Sequence, residues 1–374
     1  MRTELVANAL RRLAAASTLA TCSTATAFSN YAVPISRHRL LLATFTAVAL
    51  LMAASCGGEG DDGSEEADSG FVPLVVPTDF SGLAWLGDDN SGDAPAHLFL
   101  AVHDAKNEDG ERERTRVSIL RSPIDESGMG WQQLDALKFP ERELSNDLES
   151  VARIPDRNAV LLVESGDGGD KPGDTSADDG AGIYVASFTI DDGGVDLMLD
   201  SYTPWPATPS PLINVEATAV AADDDGQLWF LYAERASGRD STTINWTTLD
   251  VDDGGSLTFG TEWQSTLFTR PGPEGARPAS ALEVGPDGSV YVAAAWDSDD
   301  DNGPFESAVW LVGTWGGGTA VIDPLDEPLE VGRADGFKIE SIAVAGDDDD
   351  SAVFVGVDDE NYGATLRSLR RLTR

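Results

Sequence analysis

Five short segments of the sequence repeat one pattern, and the second residue of each is a serine or a glutamate. They are Phe80-Ser81-Gly82-Leu83-Ala84, Leu148-Glu149-Ser150-Val151-Ala152, Val215-Glu216-Ala217-Thr218-Ala219, Ala279-Ser280-Ala281-Leu282-Glu283 and Ile339-Glu340-Ser341-Ile342-Ala343. Their second residues lie 68, 67, 64 and 60 positions apart. If the repeats are set around an axis, Ser81, Glu149, Glu216, Ser280 and Glu340 become a ring of oxygen donors. Three carboxylates held together without a positive partner repel, which raises their pKa values or draws in a cation. Carboxylate, hydroxyl and water oxygens suit a hard ion such as Ca²⁺ rather than Zn²⁺. The alternative is a water-filled channel whose glutamates bond to backbone N–H groups of neighbouring repeats.

Other residues capable of chemistry are few. Beyond the first 70 residues the histidines are His97 and His103. His103 stands beside Asp104, where it could act as a general base, or it is a strand-end residue bonded to its neighbour. The lysines of that part are Lys106, Lys138, Lys171 and Lys338. In the strand phasing below all four fall on the side of the ring, with Arg235 and Arg277. Lys106, Glu164, Arg235 and Lys338 are therefore candidate ligand-binding residues, the cations meeting a phosphate or carboxylate of a small molecule. No Gly-x-Ser-x-Gly elbow is present, so Ser-His-Asp hydrolysis has no support.

The elements that must position these residues are strands. Each repeat is followed by a turn, such as Pro155-Asp156-Arg157-Asn158, Asp223-Asp224-Asp225-Gly226 or Gly285-Pro286-Asp287-Gly288. Asp-Gly chemistry suits tight hairpins because glycine accepts φ > 0. Then come nearly continuous apolar runs at 98–103, 159–164, 228–234, 290–297 and 352–358, as buried strands require. Third strands (183–188, 308–312) and fourth strands (195–202) follow. Four antiparallel strands repeated around an axis make a β-propeller, here all-β and five-bladed. The last unit has three strands, and 71–76 is a lone strand that would complete it and close the ring. Long polar loops at 165–182 and 298–305 mark the ring side as the face for binding.

The N-terminus reads as an address. Arg37-His38-Arg39 precedes an apolar run, 40–52, and then Ala53-Ala54-Ser55-Cys56-Gly57. A basic segment, a short apolar segment and small residues describe a secretory signal. A membrane-spanning anchor needs about 20 apolar residues, and this run is shorter. Residues 1–55 are the signal region, with 1–32 explained by a start codon near residue 33. Residues 56–70 form an acidic tether, and 71–374 form the propeller. The two cysteines, Cys22 and Cys56, leave no disulfide once the signal is removed.

Asp and Glu number 65 against 25 Lys and Arg, a net charge of −40 that becomes −44 once 1–55 are lost. Nucleic acid is excluded as a partner by that charge, and a monomer is expected.

Three resemblances follow from these residues. Ala54-Ser55-Cys56-Gly57 resembles the lipobox of bacterial lipoproteins, which implies acylation of Cys56 and a lipid anchor in the cell envelope, at the outer membrane or cell surface. The ring is similar to that of soluble calcium-activated apyrases, five-bladed propellers whose central Ca²⁺ is held by Ser and Glu. Ser81-Gly82-Leu83 and its surroundings resemble the phytase-like, esterase-like propellers of bacterial envelopes. Two functions are implied: a surface-tethered binding or scaffold module, or a Ca²⁺-dependent hydrolase of phosphate or other esters.

Overall fold

A computed structural model describes residues 80–90, 96–103, 116–122, 131–133, 148–165, 182–191, 194–208, 214–236, 239–271, 277–297, 303–316, 321–346, 351–358 and 364–369. All of them belong to one unit, Ala67–Arg374. Cys56, the tether, Asp104, Lys106, Lys138, Lys171 and the closing strand expected at 71–76 lie outside the described residues.

The described residues form five antiparallel sheets. Blade one is β1 (Gly82–Asp89), β2 (Ala96–Val102), β3 (Val117–Ser122) and β4 (Trp131–Gln133). Blade two is β5 (Leu148–Arg153), β6 (Ala159–Glu164), β7 (Gly182–Asp191) and β8 (Gly194–Pro204). Blade three is β9 (Val215–Ala222), β10 (Leu228–Glu234), β11 (Ser241–Val251), β12 (Leu257–Phe259) and β13 (Gln264–Thr269). Blade four is β14 (Arg277–Val284), β15 (Ser289–Asp297), β16 (Phe305–Gly316) and β17 (Val321–Asp335). Blade five is β18 (Ile339–Ala345), β19 (Ala352–Asp358) and β20 (Ala364–Leu369).

The first strands of the blades adjoin one another in a closed circuit, β1 to β5 to β9 to β14 to β18 and back to β1. The protein is a five-bladed β-propeller. Among the described residues blade three has five strands and blade five has three, against the expected four. In blade three the outer strand is split, and β12 and β13 both pair with β11. The break is fixed by Gly260 N–H donating to Thr248 O (2.9 Å) and by the Thr247 hydroxyl donating to Glu262 O (2.8 Å).

The core is divided among the seams between blades. Leu100, Val102, Leu148 and Tyr184 fill the first seam; Leu161, Val163, Phe230 and Leu249 fill the second. Trp246, Phe268, Leu282 and Val292 fill the third, and Tyr291, Val309, Ile342 and Val355 the fourth. Phe80, Phe99, Phe354 and Leu366 fill the fifth, with the Phe99 and Phe354 rings 4.8 Å apart. Each middle strand thus buries both faces, which is why its sequence is a continuous apolar run rather than an alternation. Each large side chain so buried contributes about 1.5–3 kcal/mol.

Near the axis the strands converge and side chains must be small. Ala84, Ala152, Ala219 and Ala343 occupy one level of the inner strands. At Gly82 a Cβ would lie 2.7 Å from the backbone N of Val151 in blade two, so only glycine admits this approach. Polar bonds tie the same seams: the Ser150 oxygen accepts from the Thr218 hydroxyl (2.8 Å), and Trp315 Nε1–H donates to Ala222 O (3.0 Å).

Candidate functional site: the central ring

The repeated Ser/Glu position is a bulge. In β5, Leu148 pairs with Glu164 and Ser150 with Val163, so Glu149 is skipped. In β9, Val215 pairs with Glu234 and Ala217 with Ala233, skipping Glu216. In β18, Ile339 pairs with Val357 and Ser341 with Gly356, skipping Glu340. Ser280 falls in the interruption of β14 between Arg277 and Ala281. Ser81 N–H bonds to Val102 O, although Val102 is the partner of Gly82. An extra residue in one strand of a pair re-aims its side chain. One local device therefore delivers Glu149, Glu216 and Glu340 at the same end of their inner strands, where Ser81 and Ser280 also stand.

Their surroundings differ from the expectation in one respect. Two of the three ring carboxylates, Glu216 and Glu340, have positive partners. Arg235, directly after β10, places Nη1 2.7 Å from Glu216 Oε1. Arg277, the first residue of β14, places Nη1 2.9 Å from Glu340 Oε1 across the seam between blades four and five. Lys338, only 3% exposed, bridges Glu340 (3.3 Å) and Asp358 (3.1 Å). The Ser280 hydroxyl donates to Ile339 O (2.7 Å), again across that seam. Ser81, Glu216, Ser280 and Glu340 are buried and Glu149 is half-buried.

This charge balance bears on calcium. The oxygen donors are of the type Ca²⁺ takes, but Glu216 and Glu340 are already neutralised by Arg235, Arg277 and Lys338. As placed, the ring fits a self-compensated ion-pair network better than a calcium cage. Among the described residues no three His, Cys, Asp or Glu side chains are grouped to hold a metal.

Arg235 and Lys338 stand at the ring as the sequence suggests. Glu164 is buried at the end of β6; its carboxylate accepts from the Tyr184 hydroxyl (3.3 Å) and its carbonyl from Trp205 Nε1–H (2.8 Å). His103 is fully buried, with Nε2 2.6 Å from Ser118 Oγ and its ring stacked on Phe80 at 5.6 Å.

Two features escaped the sequence reading. The Arg277–Glu340 pair joins residues 63 apart, and only the closed ring brings them together. Glu283 takes the place held by Ala84, Ala152, Ala219 and Ala343 in the other blades. Desolvation pushes its pKa up to about 8, against a backbone bond from Val284 that lowers it. Glu283 is half-buried. The break in an alanine pattern was the available signal. Away from the ring, a 370 Å³ cavity lies at the turn end of the seam between blades two and three, lined by Arg157, Gln227, Asp252 and Thr258 among others.

No family model matches the chain, and no curated protein does. Solved structures similar to it include an endo-arabinase from Bacteroides thetaiotaomicron (12% identity, 81% of this chain and 98% of that one, TM-score 0.46). An exo-1,5-α-L-arabinanase from a bovine ruminal metagenomic library shows 10% identity over 78% of this chain and 92% of that one, TM-score 0.43. The soluble aldose sugar dehydrogenase of Escherichia coli shows 11% identity over 80% and 99%, TM-score 0.38. At these values the likeness carries neither a substrate nor a catalytic residue over to this chain.

Proposed function

We propose that this chain is an exported lipoprotein, acylated at Cys56 and tethered to the bacterial cell envelope, that works as a monomeric binding or scaffold propeller. Its ligand meets the face carrying the ring, and the ligand is a small anion. The observation that carries this reading is the shared bulge of Glu149, Glu216 and Glu340 with the cations Arg235, Arg277 and Lys338 around it. A rigid fold that repeats one backbone device to present alternating charges supports recognition. The His–carboxylate pair open to solvent among the described residues, His97–Asp88, stands at the opposite end of β1 from the ring, which favours binding over hydrolysis at the ring. A mature domain lacking Cys56, assayed against generic phosphate esters and nucleotides with Ca²⁺ and with EGTA, is expected to show no turnover. Ca²⁺-dependent turnover would replace this reading with the esterase or phosphoesterase one. Palmitate labelling that survives Cys56→Ser would remove the lipid anchor from it.

The calcium ring of Ser81, Glu149, Glu216, Ser280 and Glu340 is a second proposal, favoured by the common register of the three glutamates. It requires the ion to compete with Arg235 and Arg277 for two carboxylates. A bound ion at 100 times its Kd stabilises a fold by about 2.7 kcal/mol. Thermal melts of the parent, Glu216→Gln and Glu149→Gln/Glu340→Gln with Ca²⁺ and with EGTA decide it. A parent melting temperature indifferent to EGTA excludes the ion.

A further inference from the structure

The turn end of blade one sets three residues in a row. Asp88 of β1 is the register partner of His97 of β2, and His97 is the register partner of Ser122 of β3. Direct partners in an antiparallel sheet project from the same face with their Cβ atoms about 4.5–5.5 Å apart. An acid, an imidazole and a hydroxyl therefore share one face of blade one, at the end of β1 remote from the ring. No sequence motif marks this serine, because the pairing of three strands assembles the row.

The imidazole is held in place. Asp88 Oδ1 lies 2.7 Å from His97 Nδ1, and the rings of Phe354 (5.5 Å), Phe99 (6.3 Å) and Trp85 (6.3 Å) meet it at steep angles. A carboxylate on Nδ1 keeps the proton there and leaves the Nε2 lone pair directed away from β1. The His97 and Asp88 side chains are 32% and 40% accessible, so the pair is open to solvent. Ser122 is half-buried. Among the described residues neither His97 Nε2 nor Ser122 Oγ is buried or engaged in a hydrogen bond. An exposed pair of this kind adds little to stability; what it does is orient a base.

We propose that Ser122, His97 and Asp88 form a second functional site, one that hydrolyses small carboxylic esters without a metal ion. Ser122 Oγ attacks the acyl carbon as its proton passes to His97 Nε2. His97 hands that proton to the departing alkoxide, which leaves as the alcohol, and Ser122 keeps the acyl group. Water then attacks the acyl-serine, giving its proton to His97, and the acid leaves as Ser122 recovers a proton. Asp88 is the positioning residue: it holds the tautomer and balances the imidazolium. The contact between Ser122 and His97 closes by side-chain rotation, since such bonds often tighten only with substrate bound. The half-buried Trp85 gives an apolar wall beside His97, and the open setting suits a short, unhindered acyl group. The site stands apart from the ring, and neither depends on the other.

The test is hydrolysis of p-nitrophenyl acetate by the mature domain in EGTA, with a fluorophosphonate label located by peptide mass spectrometry. The expected result is a label on Ser122 of the folded protein that is lost in urea, and a burst of p-nitrophenol before steady turnover. Turnover should fall by roughly 10²-fold or more in Ser122→Ala and in His97→Gln. Asp88→Asn, which holds the ring in the other tautomer, should lower kcat and leave KM and the melting temperature unchanged, with Asp88→Glu restoring part of the rate. Absence of the label, or a label elsewhere, overturns the proposal, and this readout uses the parent, so it stands even where a variant does not fold. Turnover that survives Ser122→Ala but not His97→Gln also overturns it, because a bare surface imidazole then does the work. Turnover that requires Ca²⁺ overturns it as well and belongs to the ring.

Discussion

The Arg277 guanidinium, at the start of blade four, lies 2.9 Å from the carboxylate of Glu340 in blade five. Both side chains are largely buried, and Lys338 and Asp358 extend the pair into a four-residue network. Removing one partner of a buried pair leaves its charge uncompensated, whereas removing both does not. Arg277→Met should therefore cost about 2 kcal/mol, softened by the remaining Lys338 contact. Arg277→Met/Glu340→Met should cost less than the sum of the single changes. Urea denaturation of the four proteins measures both.

Glu283 gives a pH dependence of known sign. Its folded pKa of about 8 exceeds the ordinary 4.5, so the fold favours the protonated acid. That contribution is complete below about pH 4.5 and is lost as pH rises through 8. Glu283→Gln keeps a neutral side chain at every pH. It should match the parent near pH 4.5 and exceed it above pH 8 by an amount on the order of a few kcal/mol. Melting temperatures across pH 4.5–9 check this, and a constant difference between the two proteins contradicts it.

Asp223 shows the opposite behaviour. Burial raises its pKa, but bonds from Trp229 Nε1–H (3.0 Å), Gln227 N–H (2.9 Å) and Asp225 N–H (3.1 Å) outweigh this and hold it below 3.8. The depressed pKa means stability present above about pH 3.8 and lost as pH falls through the folded value. Asp223→Ala should cost about 1 kcal/mol at pH 7, and the difference from the parent should shrink in acid. Denaturation at pH 7 and pH 3 separates this from a packing effect, which would be insensitive to pH.

Blade five ends on β20, which has no outer partner among the described residues. If residues 71–76 supply that strand, deleting them bares an edge that pairs with other chains. The deletion should aggregate at concentrations where the parent stays monomeric. Light scattering during a thermal ramp reads the difference, and a deletion as soluble as the parent disproves the closure.

Much of the fold could be read from residue types. The strands at Ala159–Glu164, Leu228–Glu234 and Ala352–Asp358 run where their apolar character ends, because both faces of these strands are buried at seams. The split outer strand of blade three could not be read, since its cause is a pair of backbone bonds around Gly260 rather than a change of composition. The ring positions were legible from their repetition. Their partners were not, because Arg277 and Glu340 meet only through ring closure, and spacing along one chain does not reveal which charges face each other across a seam. His103 looked available beside Asp104 because sequence does not show that Phe80 covers it.

The seams also set an order for folding. Four of them join blades adjacent in the chain, but the fifth brings Phe99 to Phe354, 255 residues further on. Closing so long a loop carries an entropy cost that local seams avoid, and long-range pairings form slowly. Until β19 is available, Phe80 and Phe99 lack the cover that blade five supplies, so a chain emerging from its N-terminus exposes its first blade longest. Early truncations should therefore be sticky even though each completed seam is well packed, and a circular permutation that opens the ring elsewhere would move that vulnerable interval to another blade.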